Sequence, residues 1–191
     1  MARKLRFPDV AGHPAVQAFI DAAEALVARD GFAASSMPIG ERLRELGQDP
    51  GILEAQLATL HSSGAAATVI GRGRGGSVLM LARFLPDAET PVHNHNAWGV
   101  VCVVRGRDRY RRWERLDDGS DPHQARLQLA EERELAAGDV ITFGAPPHDI
   151  HSQQGIGEAA WELVYFGNDP NAQPRSYFDT AAGTVRQASA T

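Results

Sequence analysis

Residues 91–106 read PVHNHNAWGVVCVVRG, two histidines one residue apart followed at once by an apolar run. Side chains alternate faces along an extended chain, so His93 and His95 point the same way only if this segment is extended. Pro91 before them and the valine-rich run after them favour that conformation. By the same parity Gly99, Val101 and Val103 share the face of His95. Cys102 points the other way and reads as a small buried hydrophobe, not a ligand. Trp98 and Tyr110 read as packing residues, with the mouth of a pocket as the alternative for either.

Downstream, residues 138–155, GDVITFGAPPHDIHSQQG, bring His148 and His151 in after a Gly-Asp turn. Around these two segments the texture is that of short strands: SVLMLARFL, RYRRWERLD, ARLQLAEERELAAGD, VITF and WELVYFG. Turn clusters separate them (DDGSDP, APPHD, QQGIGE), and GRGRGG leads into the first. Strands and turns at this density predict a mostly β sandwich or barrel over residues 66–191, with a last hairpin around TAAGT. His123 lies in a polar turn and reads as a solvated loop residue. The alternating arginines of RYRRWER read as a solvated strand face.

Residues 1–65 read as an N-terminal helical extension. Val16, Phe19, Ile20, Ala23, Leu26 and Val27 recur at the spacing of one helical face, with Gly31 as its stop. Shorter helices are expected around IGERLREL and GILEAQLATLHSS. The chain of 191 residues is 43% hydrophobic, which allows one core-bearing domain with a helical attachment. A net charge of −5 and no basic recognition face argue against nucleic acid as a partner. With Cys102 the single cysteine, an intrachain disulfide and a multi-thiolate zinc site are excluded. No apolar stretch reaches membrane-span length and the N-terminus lacks a signal-peptide apolar region, so a cytoplasmic location is expected.

The two histidine segments resemble the cupin superfamily, double-stranded β-helix (jelly-roll) barrels that hold a metal inside. His93, His95 and Gly106 fit the first cupin motif, and Gly99 stands where that motif has its glutamate ligand. In the second motif, Pro146 and the register after it give the metal role to His151 and put His148 where the family has glycine. His148 is the alternative third ligand. Three imidazoles without an acid leave coordination positions open, and by softness suit iron, zinc, copper or nickel.

Loss of the glutamate, with His-x-His followed by WGVV, is similar to the thiol dioxygenases, bacterial cysteine dioxygenase-like proteins in particular. That resemblance implies a mononuclear ferrous site, with a small thiol or related organic molecule and O₂ as partners. The family's late-strand Ser-His-Tyr positions are occupied here by Glu162, Val164 and Phe166. Its carboxylate-gripping arginine has no counterpart in register within AAATVIGRGRGG, so Arg72 and Arg74 are the candidates, and Arg83 a weaker one. Phe166 and Trp98 are expected at the substrate. Glu162 is read either as a rim carboxylate in water or as an inward-facing base. The opposite face, Trp161, Leu163 and Tyr165, is apolar enough for an interface, as in a homodimer, or for cover by the helices. Two alternatives stand beside the dioxygenase: a metal-binding cupin of other chemistry (isomerase, lyase or ring-cleaving oxygenase), with Glu162 as base, and a small-ligand sensor.

Overall fold

The computed structural model describes residues 13–49 and 66–188. Helix α1 (Pro14–Gly47) starts on an N-cap, His13, whose ring Nδ1 accepts from the Ala15 N–H at 3.4 Å, with proline at the first helical position. Gly31, at φ 76° and ψ 166°, ends the first helical run as its sequence position predicts, but the chain resumes helix immediately after it. The IGERLREL helix is therefore the end of a longer second run. The GILEAQLATLHSS helix lies outside the described residues.

Among the described residues eleven strands follow. They are β1 (Ala67–Arg72), β2 (Val78–Phe84), β3 (Val92–His93), β4 (Gly99–Arg105), β5 (Arg107–Arg115) and β6 (Leu127–Ala136), then β7 (Val140–Phe143), β8 (His151–Gly155), β9 (Ala160–Phe166), β10 (Arg175–Asp179) and β11 (Thr184–Ala188). One sheet runs β1-β2-β9-β4-β7 and the other β11-β10-β3-β8-β5-β6, and every pairing within them is antiparallel. Strand structure begins earlier than GRGRGG implied: β1 takes in Gly71 and pairs back onto β2 with Arg72 opposite Val78, so Gly73, Gly75 and Gly76 form the connecting turn. The TAAGT hairpin is β10–β11, with Asp179 opposite Thr184.

The two sheets face one another as a mostly β jelly-roll barrel, and parity decides what each strand buries. Val101 and Val103 of β4 and Val164 and Phe166 of β9 join Met80, Phe143 and Tyr110 in the cluster between the sheets. Cys102, Trp161, Leu163 and Tyr165 point outward, into a second cluster formed with Val16, Phe19, Ile20 and Leu43 of α1. The apolar outer face is thus the seat of the helix. Leu163, Leu79, Leu81 and Tyr165 are buried in that seam, each contributing about 1.5–3 kcal/mol relative to exposure. The β5–β6 ladder is the solvated face its sequence predicts, crossed by ion pairs such as Arg107–Glu134 and Arg111–Glu132, both at 2.6 Å. Exposed pairs of this kind contribute about 0–1 kcal/mol each. No helix among the described residues is long and apolar enough to cross a membrane.

Candidate metal centre

The extended segment expected to carry both histidines into β4 is broken. Only Val92–His93 is strand, in one sheet, and β4 begins at Gly99 in the other. Between them Asn96 takes a left-handed conformation, φ 56°, which asparagine tolerates better than most residues. His95 sits at this corner. Its position is fixed from the other histidine segment: buried Asp149 accepts the backbone N–H groups of His95 at 3.0 Å and Asn96 at 2.7 Å through Oδ2. His93 lies opposite His151 in the β3–β8 pairing. Hence the two segments meet by one strand pairing and one carboxylate clasp.

The ring nitrogens converge. Nε2 of His95 lies 3.2 Å from Nε2 of His93 and 3.2 Å from Nε2 of His151. Metal–nitrogen bonds of about 2.0–2.1 Å separated by tetrahedral or octahedral angles set ligand nitrogens roughly 2.9–3.4 Å apart, so the spacing fits one shared ion. The tautomer agrees at His93, where Nδ1 donates to the Pro91 carbonyl at 2.8 Å and leaves Nε2 its lone pair. All three rings are buried. Burial pushes His93 down to about 4, against the opposing effect of that carbonyl. It holds His95 and His151 well below the usual imidazole range, with repulsion among the rings acting in the same direction. Neutral imidazoles are the ligand form.

These three are the histidine, cysteine or acidic residues that could hold a metal among the described residues. His148, the alternative ligand, is not with them, because the turn it occupies leaves it exposed. Cys102 is on the far side of β4, where burial pushes its thiol up to about 11.

Gly99, where the resembled motif carries a glutamate, is closed to a side chain. Gly99 pairs with both Phe143 and Phe166, and a Cβ added there would lie 2.2 Å from Cζ of Phe143. The Phe143 ring lies parallel to His95 at 6.0 Å, and Phe166 lies 4.8 Å from it. Aromatic rings occupy the space an acidic side chain would need.

The three imidazoles line a cavity of about 220 Å³, walled by Met80, Val101, Phe143, Val164 and Phe166. This is below the ~300–1,000 Å³ of drug-sized sites, so the occupant is small. Phe166 stands in the wall. Trp98 does not: it stacks on Phe32 of α1 at 4.3 Å and meets Tyr165 on the outer face. Arg72 is paired to Asp169 at 2.6 Å and more than half exposed, Arg74 lies in the exposed β1–β2 turn, and neither reaches the cavity.

The cation in the wall is instead Arg175 of β10, beside Tyr177, whose ring stacks on His93 at 6.0 Å. Burial lowers the Arg175 pKa. Its guanidinium has neutral partners, the Asn171 Oδ1 at 2.8 Å and the Pro170 carbonyl at 3.5 Å. The i, i+2 spacing of Arg175 and Tyr177 in RSYFD was the available signal, but sequence alone did not say that β10 pairs with β3.

Glu162 faces inward, as one of its two readings has it, but is not a wall residue. It is fully buried below the cavity, and the wall residue above it is Gln153, whose Nε2 donates to Glu162 Oε2 at 2.8 Å. Burial, first, and the nearby Asp108 raise its pKa well above the carboxylate range. A protonated acid behind another side chain is not a base in contact with substrate.

The clasp gives a direct prediction. Asp149→Ala leaves His93 and His151 in place but frees the corner at His95, so metal affinity should fall by about 10–100-fold, with Asp149→Asn intermediate. Chelator competition measures it, and unchanged affinity in the alanine variant would show that the corner holds itself.

No protein-family model and no curated protein matches the sequence. Solved structures do. An oxalate oxidase is 22% identical over 58% of this chain and 54% of its own, with a TM-score of 0.42. A cupin superfamily protein from Desulfitobacterium hafniense is 14% identical over 54% of this chain and 76% of its own, with a TM-score of 0.38. A Bacillus subtilis oxalate decarboxylase is 19% identical over 57% of this chain and 24% of its own, with a TM-score of 0.37. The chain spans about half the length of the oxalate oxidase it matches. The jelly-roll architecture of this chain rests on its own strand order and register.

Proposed function

We propose that this protein is a mononuclear metal-dependent dioxygenase acting on a small organic anion, with a carboxylated thiol as the first substrate to test. The observation that carries the reading is the convergence of three buried, neutral imidazoles on the wall of a small apolar cavity that also holds Arg175. Iron(II), bound by His93, His95 and His151, would supply the activation of dioxygen. The overall reaction balances without an external reductant: a thiol RS–H and O₂ give the sulfinic acid RSO₂H, sulfur losing the electrons that dioxygen gains.

The chain's own residues do the rest. Arg175 anchors the carboxylate by charge-assisted hydrogen bonds, replacing neutral partners with an anion. Met80, Val101 and Phe166 exclude water around the reacting end. Val164 and Phe166 offer no proton carrier there. The isomerase or lyase alternative needs a wall-facing base, and Glu162 does not supply one.

Anaerobic reconstitution with ferrous iron, followed by oxygen uptake with cysteine and 3-mercaptopropionate, tests the reading. Sulfinate formed in step with oxygen consumed is expected. Iron-loaded protein that consumes no oxygen with any thiol would overturn the thiol assignment. Arg175→Gln should weaken binding of the carboxylated thiol about 10–100-fold, the range of a charge-assisted hydrogen bond, while Arg72→Gln leaves it unchanged. The reverse ranking would return the anchor to the β1–β2 side.

A further inference from the structure

Below the cavity two carboxyl groups lie together with no cation. Asp108 of β5 and Glu162 of β9 are both fully buried, and among the described residues neither forms an ion pair with an arginine or lysine. Two uncompensated charges cannot be held at such a place, so the pair keeps a proton between its members. Burial, the largest cause for each, raises Asp108 to about 6 and Glu162 well above its usual value, and a hydrogen bond between the two further raises Glu162. Among the described residues neither Asp108 Oδ1 nor Glu162 Oε1 has a hydrogen-bond partner, and a proton shared between the two acids would satisfy both.

The remaining oxygens are both taken by Gln153. Its Nε2 donates to Glu162 Oε2 at 2.8 Å and to Asp108 Oδ2 at 3.1 Å. A primary amide has two N–H bonds, and both are used here. Turning the amide over would set its carbonyl oxygen against carboxyl oxygens at those distances. The one hydrogen-bonding atom of the side chain left for a ligand is therefore Oε1, an acceptor. Gln153 is a wall residue of the cavity, two positions along β8 from His151 and on the same face. Arg175, by contrast, offers only donors.

We propose that the acid pair makes Gln153 a specificity-determining residue. With its carboxamide locked carbonyl-inward, the cavity selects small carboxylates that also carry a hydrogen-bond donor, an ammonium or hydroxyl, over those that carry none. Asp108 and Glu162 act through Gln153 and are positioning residues. This rests on reading the cavity as the substrate site.

The test is binding to the cobalt(II)-loaded protein, followed by its visible spectrum, with two probe pairs that differ by one donor: L-cysteine against 3-mercaptopropionate, and lactate against propionate. The donor-bearing member of each pair should bind at least about tenfold tighter in the parent protein, since an acceptor left unpaired by its ligand penalises the analogue. Gln153→Leu should erase the preference. The isosteric double variant Asp108→Asn, Glu162→Gln keeps the packing but lets the amide turn over, so it should reduce the preference while Arg175-dependent affinity for propionate stays the same. A preference that survives Gln153→Leu comes from the metal and overturns the inference, as does equal binding within both pairs by the parent. If lactate is preferred over propionate through Gln153 while neither thiol binds, the inference stands and the thiol reading falls.

Discussion

Alanine at His93, His95 or His151 is expected to empty the metal centre. Each variant removes one of three converging nitrogens, and among the described residues no fourth histidine, cysteine or acidic side chain joins them. Metal affinity should fall by more than the roughly 10–100-fold that outer-shell changes cost. Since a ligand that binds only the folded state stabilises it by about 2.7 kcal/mol at a hundred times its dissociation constant, the parent's metal-dependent rise in melting temperature should disappear as well. Metal stoichiometry after reconstitution and dialysis, with melting curves with and without metal, reads both effects. His148→Ala and Cys102→Ser are the controls and should retain full stoichiometry, the first residue being exposed and the second facing α1. Normal occupancy in any of the three ligand variants would dissolve the centre as a three-histidine site.

How far the sequence reaches is clearest strand by strand. Period-two alternation places Val101, Val103, Val164 and Phe166 between the sheets and Cys102, Leu163 and Tyr165 outside, as the two clusters have them. Helical spacing likewise identifies Val16, Phe19, Ile20 and Ala23 as the face that packs. The corner at Asn96 is not legible, because NHNAW contains no glycine or proline to mark a change of sheet. His93 and His95 converge by a turn and a carboxylate clasp, not by strand parity. Parity also turns Glu162 inward correctly but is silent about depth along the barrel. Glu162 pairs with Ala82, which lines the cavity, yet is itself shut off from it, its carboxyl group meeting the wall residue Gln153. The arginine of the cavity depends on β10 lying beside β3, a long-range pairing that local pattern does not encode. Arg72 and Arg74 lie on the surface and outside the cavity wall.

Gly99→Glu should not restore a fourth ligand, and should instead destabilise the protein severely. The position is buried between two phenyl rings: an added Cβ would sit 2.2 Å from Cζ of Phe143 and 2.8 Å from its Cε atoms, with Phe166 paired on the other side. Forcing extra atoms into a packed core costs about 1–3 kcal/mol. A carboxyl group buried without a partner adds roughly 1–3 kcal/mol more. At roughly 2–4 °C per kcal/mol for a chain of this size, melting should fall by about 4–24 °C. Because the displaced rings buttress His95, metal binding should weaken with it, which a gained carboxylate ligand would not do. Pairing the change with Phe143→Ala removes the ring that blocks the space. The double variant should recover part of the lost stability and bring the carboxylate within reach of the ion, visible as a change in coordination in the cobalt spectrum. A single Gly99→Glu variant as stable as the parent, binding metal more tightly, would mean that the rings yield easily. The absence of an acidic ligand would then have no packing cause.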